Sequence, residues 1–128
     1  MTLLLDTHLI LWAGNESAEL SERATAMISD PANDLRFSTV NIWEVVIKSS
    51  LGRTDFMVNP NSLREKLRRA GYRELAISSE HALAVGNLPA LHKDPFDRIL
   101  VAQARVEGFT LLTSDPVVAS YPGPILKV

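Results

Sequence analysis

Acidic residues stand at four widely separated points of the chain, next to predicted strands or helix starts. They are Asp6, Glu44, Asp97 and Asp115. Because ligands bind at the carboxyl ends of the strands in parallel sheets, we expect these side chains to meet at one edge. Clustered carboxylates repel one another and therefore require a cation. An all-oxygen set with room for water suits Mg²⁺ or Mn²⁺, and such an ion would activate a water to attack a phosphodiester.

Three of these acids also have a structural explanation at the ends of helices. Asp6 and Asp115 are suited to cap the helices that follow them. Asp97 would stabilise the positive end of its own helix, or join Asp94 in a capping arrangement. Asp94 itself is explained by capping alone, so we leave it outside the predicted catalytic set.

Glu44 is the acid that a structural role explains least well. It precedes Lys48 by one helical turn, which predicts a surface ion pair of little energetic value. However, the residues around Glu44 are apolar, so this helix has only a narrow polar face. These neighbours are Ile42, Trp43, Val45, Val46 and Ile47. Trp43 and Trp12 lie among aliphatic residues and are most simply core or interface residues.

The segment from residue 92 to residue 115 positions two of the acids. Asp94 is a good N-cap, Pro95 suits the first helical position, and Asp97 falls at the third. An apolar helix follows until Gly108, and residues 109–113 form a short apolar run typical of a buried strand. This segment predicts a helix, a turn and a strand with an acid at each end.

Further strands are predicted at residues 3–5, 35–38, 72–77 and 125–128, and helical segments separate them. Strands this apolar have no solvent-facing side, which indicates a mainly parallel sheet with helices on both faces. The predicted fold class is α/β, a three-layer α/β/α arrangement. No repeat or linker divides the chain, so residues 1–128 are predicted to form a single domain.

Composition limits the possible classes of protein. Of the 128 residues, 46% are hydrophobic and 22% are charged, which is a globular balance. The net charge of −2 means that a nucleic acid would have to be bound by a local patch. Cysteine is absent, which excludes disulfides and thiolate metal sites. The N-terminal run lacks a basic region, and no segment reaches the length of a membrane span, so we predict a cytoplasmic protein.

Other chemistries have little support in the sequence. His8, His81 and His92 show no metal-ligand spacing and are interpreted as structural. No serine occurs in a recognisable nucleophile motif, and no glycine-rich nucleotide loop is present. The segment LREKLRRAGYR is either a solvated helix face or a contact for the phosphates of a substrate; its basic residues are Arg64, Lys66, Arg68, Arg69 and Arg73. Arg98, beside Asp97, is a further candidate contact for such a phosphate.

The motifs LLLDTH, STVNIWEVVIK, HKDPFDRILVAQA and LLTSD, in this order along essentially the whole chain, resemble PIN-domain proteins. The similarity is closest to VapC-type toxins of bacterial type II toxin–antitoxin pairs. It implies a Mg²⁺- or Mn²⁺-dependent endoribonuclease that leaves a 5′-phosphate and a 3′-hydroxyl. The acidic quartet of the family maps onto Asp6, Glu44, Asp97 and Asp115. The resemblance also implies a homodimer and a small DNA-binding antitoxin.

The alternative is a catalytically silent domain that binds metal for signalling or protein interaction. Receiver domains have a similar length and sheet, but they pair two acids after the first strand. Here the first strand is followed by Asp6, Thr7 and His8. A silent PIN-like module is opposed only by the intact quartet, and metal binding with and without Asp97 would discriminate.

Overall fold

A computed structural model describes residues 1–15 and 17–128, and its strands form one sheet. The sheet order is β3–β2–β1–β4–β5, and every neighbouring pair is parallel. The strands are β1 (Thr2–Leu5), β2 (Asp34–Ser38), β3 (Arg73–Leu75), β4 (Thr110–Thr113) and β5 (Ile125–Lys127). The predicted α/β class with a mainly parallel sheet is confirmed.

Helices connect the strands and cover the sheet. They are α1 (Thr7–Gly14), α2 (Glu22–Ser29), α3 (Thr39–Ser50), α4 (Pro60–Arg69), α5 (Ser79–Val85), α6 (Pro95–Glu107) and α7 (Pro116–Ala119), with a 3₁₀ turn at Thr54–Phe56. None of the described helices is both long enough and apolar enough to cross a membrane.

Side-chain alternation along the central strand β1 produces the three layers. Leu3 and Leu5 pack into one buried cluster with residues of α1 and α4. Leu4 packs into a second cluster, which includes Leu100 and Val101 of α6. Because successive side chains of a strand point to opposite faces, each face of β1 requires its own layer of helices.

The strand order reverses at β1. From β1 the chain builds outward through β2 to β3, and it then returns to the other side of β1 with β4 and β5. In open parallel sheets, the crevice at such a switch point is where ligands bind. Asp6 and Asp115 closely follow the two strands, β1 and β4, that border this point.

Candidate metal centre

One cavity of about 180 Å³ at this edge is lined by all four predicted acids. Asp6 is the N-cap of α1 and Asp115 is the N-cap of α7. Glu44 lies in the second turn of α3, and Asp97 is the third residue of α6. The remaining lining residues are Thr7, His8, Lys48, Arg53, His92 and Asp94. Asp6 and Asp115 therefore each cap a helix and also line the cavity.

Asp6 is held rigidly at the bottom of the cavity. Its Oδ1 accepts a hydrogen bond from the Leu9 N–H (3.0 Å), and its Oδ2 accepts one from the Thr113 hydroxyl. Thr113 Oγ1 in turn accepts from the Asp115 N–H (3.0 Å), so one threonine links the two acid-bearing strand ends. Burial raises the pKa of Asp6, which indicates that its charge lacks full compensation.

Glu44 is oriented by two donors. The Thr7 hydroxyl donates to its Oε1 (2.5 Å), and Lys48 Nζ donates to its Oε2 (2.6 Å). Lys48 Nζ also donates to Asp94 Oδ2 (2.8 Å). The Glu44–Lys48 pair forms as its spacing predicts, but the expected surface location is wrong. The two side chains are 3% and 14% exposed, so the pair belongs to the cavity.

Burial and the negative charge of the cavity both act on Asp97. Burial, followed by the negative charges of Asp94, Glu44 and Asp6, raises the pKa of Asp97 to about 8. Ligand atoms of Glu44, Asp94 and Asp97 lie within 4.8 Å of one another, and so do those of His92, Asp97 and Asp115. Asp97 is therefore common to both groups of potential metal ligands.

The donor chemistry of the cavity fits a hard divalent cation. The two groups offer mainly carboxylate oxygens, and burial together with the neighbouring carboxylates raises the pKa of Asp97. Mg²⁺ and Mn²⁺ prefer such oxygen-rich sets. These residues can thus hold a divalent ion at the carboxyl edge of the sheet.

His92 is a residue of the site that sequence reasoning missed. Its Nδ1 accepts a hydrogen bond from the Asp94 N–H (3.0 Å), so the ring proton is assigned to Nε2. Nε2 lies 3.2 Å from Asp97 Oδ2 and 3.4 Å from Asp115 Oδ2. The sequence signal that could have indicated this role is the position of His92 two residues before the Asp94 cap, because that position brings its ring close to the start of α6.

The predicted basic contacts lie elsewhere. Arg73 begins β3 and pairs with Asp34, which begins β2, so both mark the edge of the sheet opposite the cavity. Arg68, in the last turn of α4, pairs with Glu74. Arg98 donates to the Pro89 and Val85 carbonyls and to the Tyr121 hydroxyl, so it holds a loop in place.

Comparison with known proteins gives one family and several solved structures. The profile of the PIN domain family matches residues 3–123. The fold is similar to VapBC2 from Rickettsia felis bound to a promoter DNA fragment (TM-score 0.70, 16% identity, covering 99% of this chain and 98% of that one). It is also similar to DNA-bound VapBC from Salmonella typhimurium (TM-score 0.65, 17% identity, covering 99% of this chain and 98% of that one). A toxin–antitoxin complex from Klebsiella pneumoniae is similar as well (TM-score 0.64, 18% identity, covering 98% of this chain and 96% of that one). No curated protein sequence matches.

Proposed function

The chain belongs to the PIN domain family, and from this premise we propose that it is a Mg²⁺- or Mn²⁺-dependent endoribonuclease. We further propose that residues 1–128 form a single domain that acts as the toxin of a toxin–antitoxin pair in the cytoplasm. One observation carries the enzymatic proposal. Four carboxylates from distant parts of the sequence line one cavity at the switch point of the sheet. Such a cluster is typical of a site that holds a cation against phosphate.

The chain's own residues have distinct roles in this proposal. Asp6, Asp97 and Asp115 would hold the ion, and Glu44 would contribute directly or through a water. When bound, the ion supplies positive charge that lowers the pKa of a water and stabilises the charge developing on the phosphodiester. Asp115 has the most exposed of these carboxylates, at 37%, and we propose that it orients the attacking water. Thr7 and Thr113 keep Glu44 and Asp6 in fixed orientations.

An acidic cavity repels RNA, so phosphates must be contacted by cations at its mouth. Arg53 lines the cavity and has a half-exposed side chain. Lys93 is exposed and adjoins His92. We propose these two residues as the phosphate contacts, in place of the basic helix α4.

We propose that the partner antitoxin binds the groove between α1, α2 and α4. The solved relatives include toxin–antitoxin complexes. The groove has a volume of about 760 Å³, an apolar floor that includes Ile28 and Leu35, and basic residues at its rim. Tyr72, which also lines it, has a buried hydroxyl without a hydrogen-bond partner among the described residues. A partner helix with an apolar face and acidic groups at its edges would match the apolar floor and the basic rim.

The homodimer also stays a prediction. The helix α3 exposes the apolar side chains of Trp43 (51% exposed), Val46 (45%) and Ile47 (38%), and Leu51, which follows the helix, is 74% exposed. A second copy of the chain, related by a two-fold axis, would bury this surface against itself. We propose it as the dimer contact.

Cleavage of total RNA by the purified, antitoxin-free chain tests the enzymatic proposal. We expect discrete cuts with Mg²⁺ or Mn²⁺, no cuts with chelator, and no cuts by the Asp6→Asn variant, whose amide keeps the cap. Metal binding without cleavage of any RNA would instead favour the silent interaction module.

A further inference from the structure

Lys48 is a cation built into the wall of the acidic cavity. Its Nζ lies 2.6 Å from Glu44 Oε2 and 2.8 Å from Asp94 Oδ2, and its side chain is 14% exposed. The ring centroids of Phe56 and Phe96 lie 4.9 Å and 5.5 Å from Nζ. These contacts fix the ammonium group at one position between α3 and the start of α6.

The other contacts of Glu44 and Asp94 come from neutral donors. Glu44 Oε1 accepts from Thr7, and Asp94 Oδ1 accepts from the Phe96 N–H (2.8 Å). Arg53 also lines the cavity, but its guanidinium is paired with Asp55. Among the described residues, Lys48 is therefore the one cation in contact with these two carboxylates.

This arrangement divides the cavity into two sides. Glu44, Asp94 and Asp97 have the spacing of metal ligands, but a full positive charge already touches two of the three. A divalent ion bound to the same oxygens would lie close to the ammonium group and be repelled by it. On the other side, His92 Nε2 lies 3.2 Å from Asp97 Oδ2 and 3.4 Å from Asp115 Oδ2. No lysine or arginine side chain among the residues described forms a salt bridge with Asp6, Asp97 or Asp115.

We propose that the Lys48 ammonium group occupies the place of a second divalent cation beside Glu44 and Asp94. The site then binds a single divalent ion, on the side of Asp6, Asp97 and Asp115. This inference rests on the proposed function, and it assigns Glu44 to Lys48 rather than to direct ligation. Lys48 acts as a positioning residue that fixes the number of ions.

The test is the stoichiometry of Mn²⁺ binding, measured by calorimetry and by electron paramagnetic resonance on the full chain. We expect the wild-type chain to bind one Mn²⁺ and to give the spectrum of an isolated ion. Lys48→Met keeps an unbranched side chain, one atom shorter, and removes its charge, so we expect a second Mn²⁺ and a spin-coupled spectrum. Lys48→Arg keeps the charge and should retain the wild-type stoichiometry.

Lys127→Met, which removes an exposed charge at the end of β5, is the matched control and should behave as the wild type. Two coupled Mn²⁺ ions in the wild-type chain would overturn this inference alone. A folded Lys48→Met variant that still binds one ion would do the same. If that variant does not fold, the wild-type stoichiometry decides by itself. A wild-type chain that binds no Mn²⁺ would overturn the proposed function as well.

Discussion

Asp97 is a carboxyl group whose protonation is changed by burial and by the charge of the cavity. Its pKa is raised to about 8 by burial and then by the neighbouring acids, compared with 3.8 for a free aspartate. Between about pH 4 and about pH 8, the folded chain therefore keeps a proton that the unfolded chain has released. Folding is favoured by this proton at low pH, and that contribution is lost as the pH rises through the folded pKa.

We predict that Asp97→Asn stabilises the metal-free protein at pH 8. The substitution removes a buried charge with like-charged neighbours, and one pKa unit corresponds to about 1.4 kcal/mol, so the gain should be about 2 kcal/mol or more. The variant should also lose the part of the fall in unfolding free energy between about pH 4 and about pH 8 that Asp97 contributes. Urea unfolding in the presence of chelator measures both quantities. Identical pH profiles for the two proteins would contradict this prediction.

At the scale of elements, the start of α6 joins capping to the geometry of the site. Asp94 Oδ1 caps the helix through the Phe96 N–H, while Oδ2 accepts from Lys48 of α3. The Asp94 side chain thus caps the start of α6 and also links it, through Lys48, to Glu44 of α3. Asp97, in the first turn, is positioned as a consequence.

We predict that Asp94→Asn and Asp94→Ala separate these two roles. Asparagine caps a helix about as well as aspartate, whereas alanine removes the cap at a cost of about 1 kcal/mol. Both variants remove the ion pair with Lys48, so the alanine variant should be less stable by about the value of the cap. Chemical unfolding at neutral pH measures the difference. Equal stability of the two variants would show that the cap contributes nothing to α6.

Local rules predicted the elements that carry the acids. The N-cap at Asp94, the third-position Asp97 and the end of α6 at Gly108 follow from short-range chemistry, and Gly108 has the left-handed φ of 72° that favours glycine. The strand predicted at residues 72–77 is shorter, Arg73–Leu75, because β2, the strand with which it pairs, ends at Ser38, opposite Leu75. Strand length was thus set by a neighbour that the local sequence does not reveal.

Interactions between distant residues account for the parts of the site that were not predicted. Lys48 meets Asp94 across 46 residues, and His92 reaches Asp115 across 23. Nothing in the local sequence shows that the loop before α6 folds inward over the end of β4. The acids were predictable because strand ends share an edge, whereas their polar partners depend on loop conformation.

At the scale of the whole molecule, charge is distributed unevenly around the sheet. The net charge is −2, and five of the 15 acidic residues line the cavity at the carboxyl edge. Much of the basic segment around α4 lies towards the opposite edge and is paired with carboxylates. RNA that enters the cavity is therefore expected to contact the few cations at its mouth.

We predict that Arg53→Ala with Lys93→Ala weakens RNA binding several-fold. The salt dependence of binding should also fall, by about one unit of slope for each phosphate that no longer meets a cation. Arg68→Ala with Arg73→Ala removes the same charge at the other edge and should leave both quantities nearly unchanged. The measurement is KM as a function of salt concentration. A larger effect from the second pair would restore α4 as the RNA-binding surface.

The chemistry of the cleaved ends tests the central claim most directly. If the carboxylate cluster holds an ion that activates water, the fragments should carry a 5′-phosphate and a 3′-hydroxyl. A 2′-deoxy nucleotide at the cut should not prevent cleavage, and Asp6→Asn should abolish it. Fragments with a 5′-hydroxyl and a 2′,3′-cyclic phosphate, formed equally well in chelator, would show attack by the ribose hydroxyl. That result would contradict the assignment of the acidic cavity as a metal-dependent hydrolytic site.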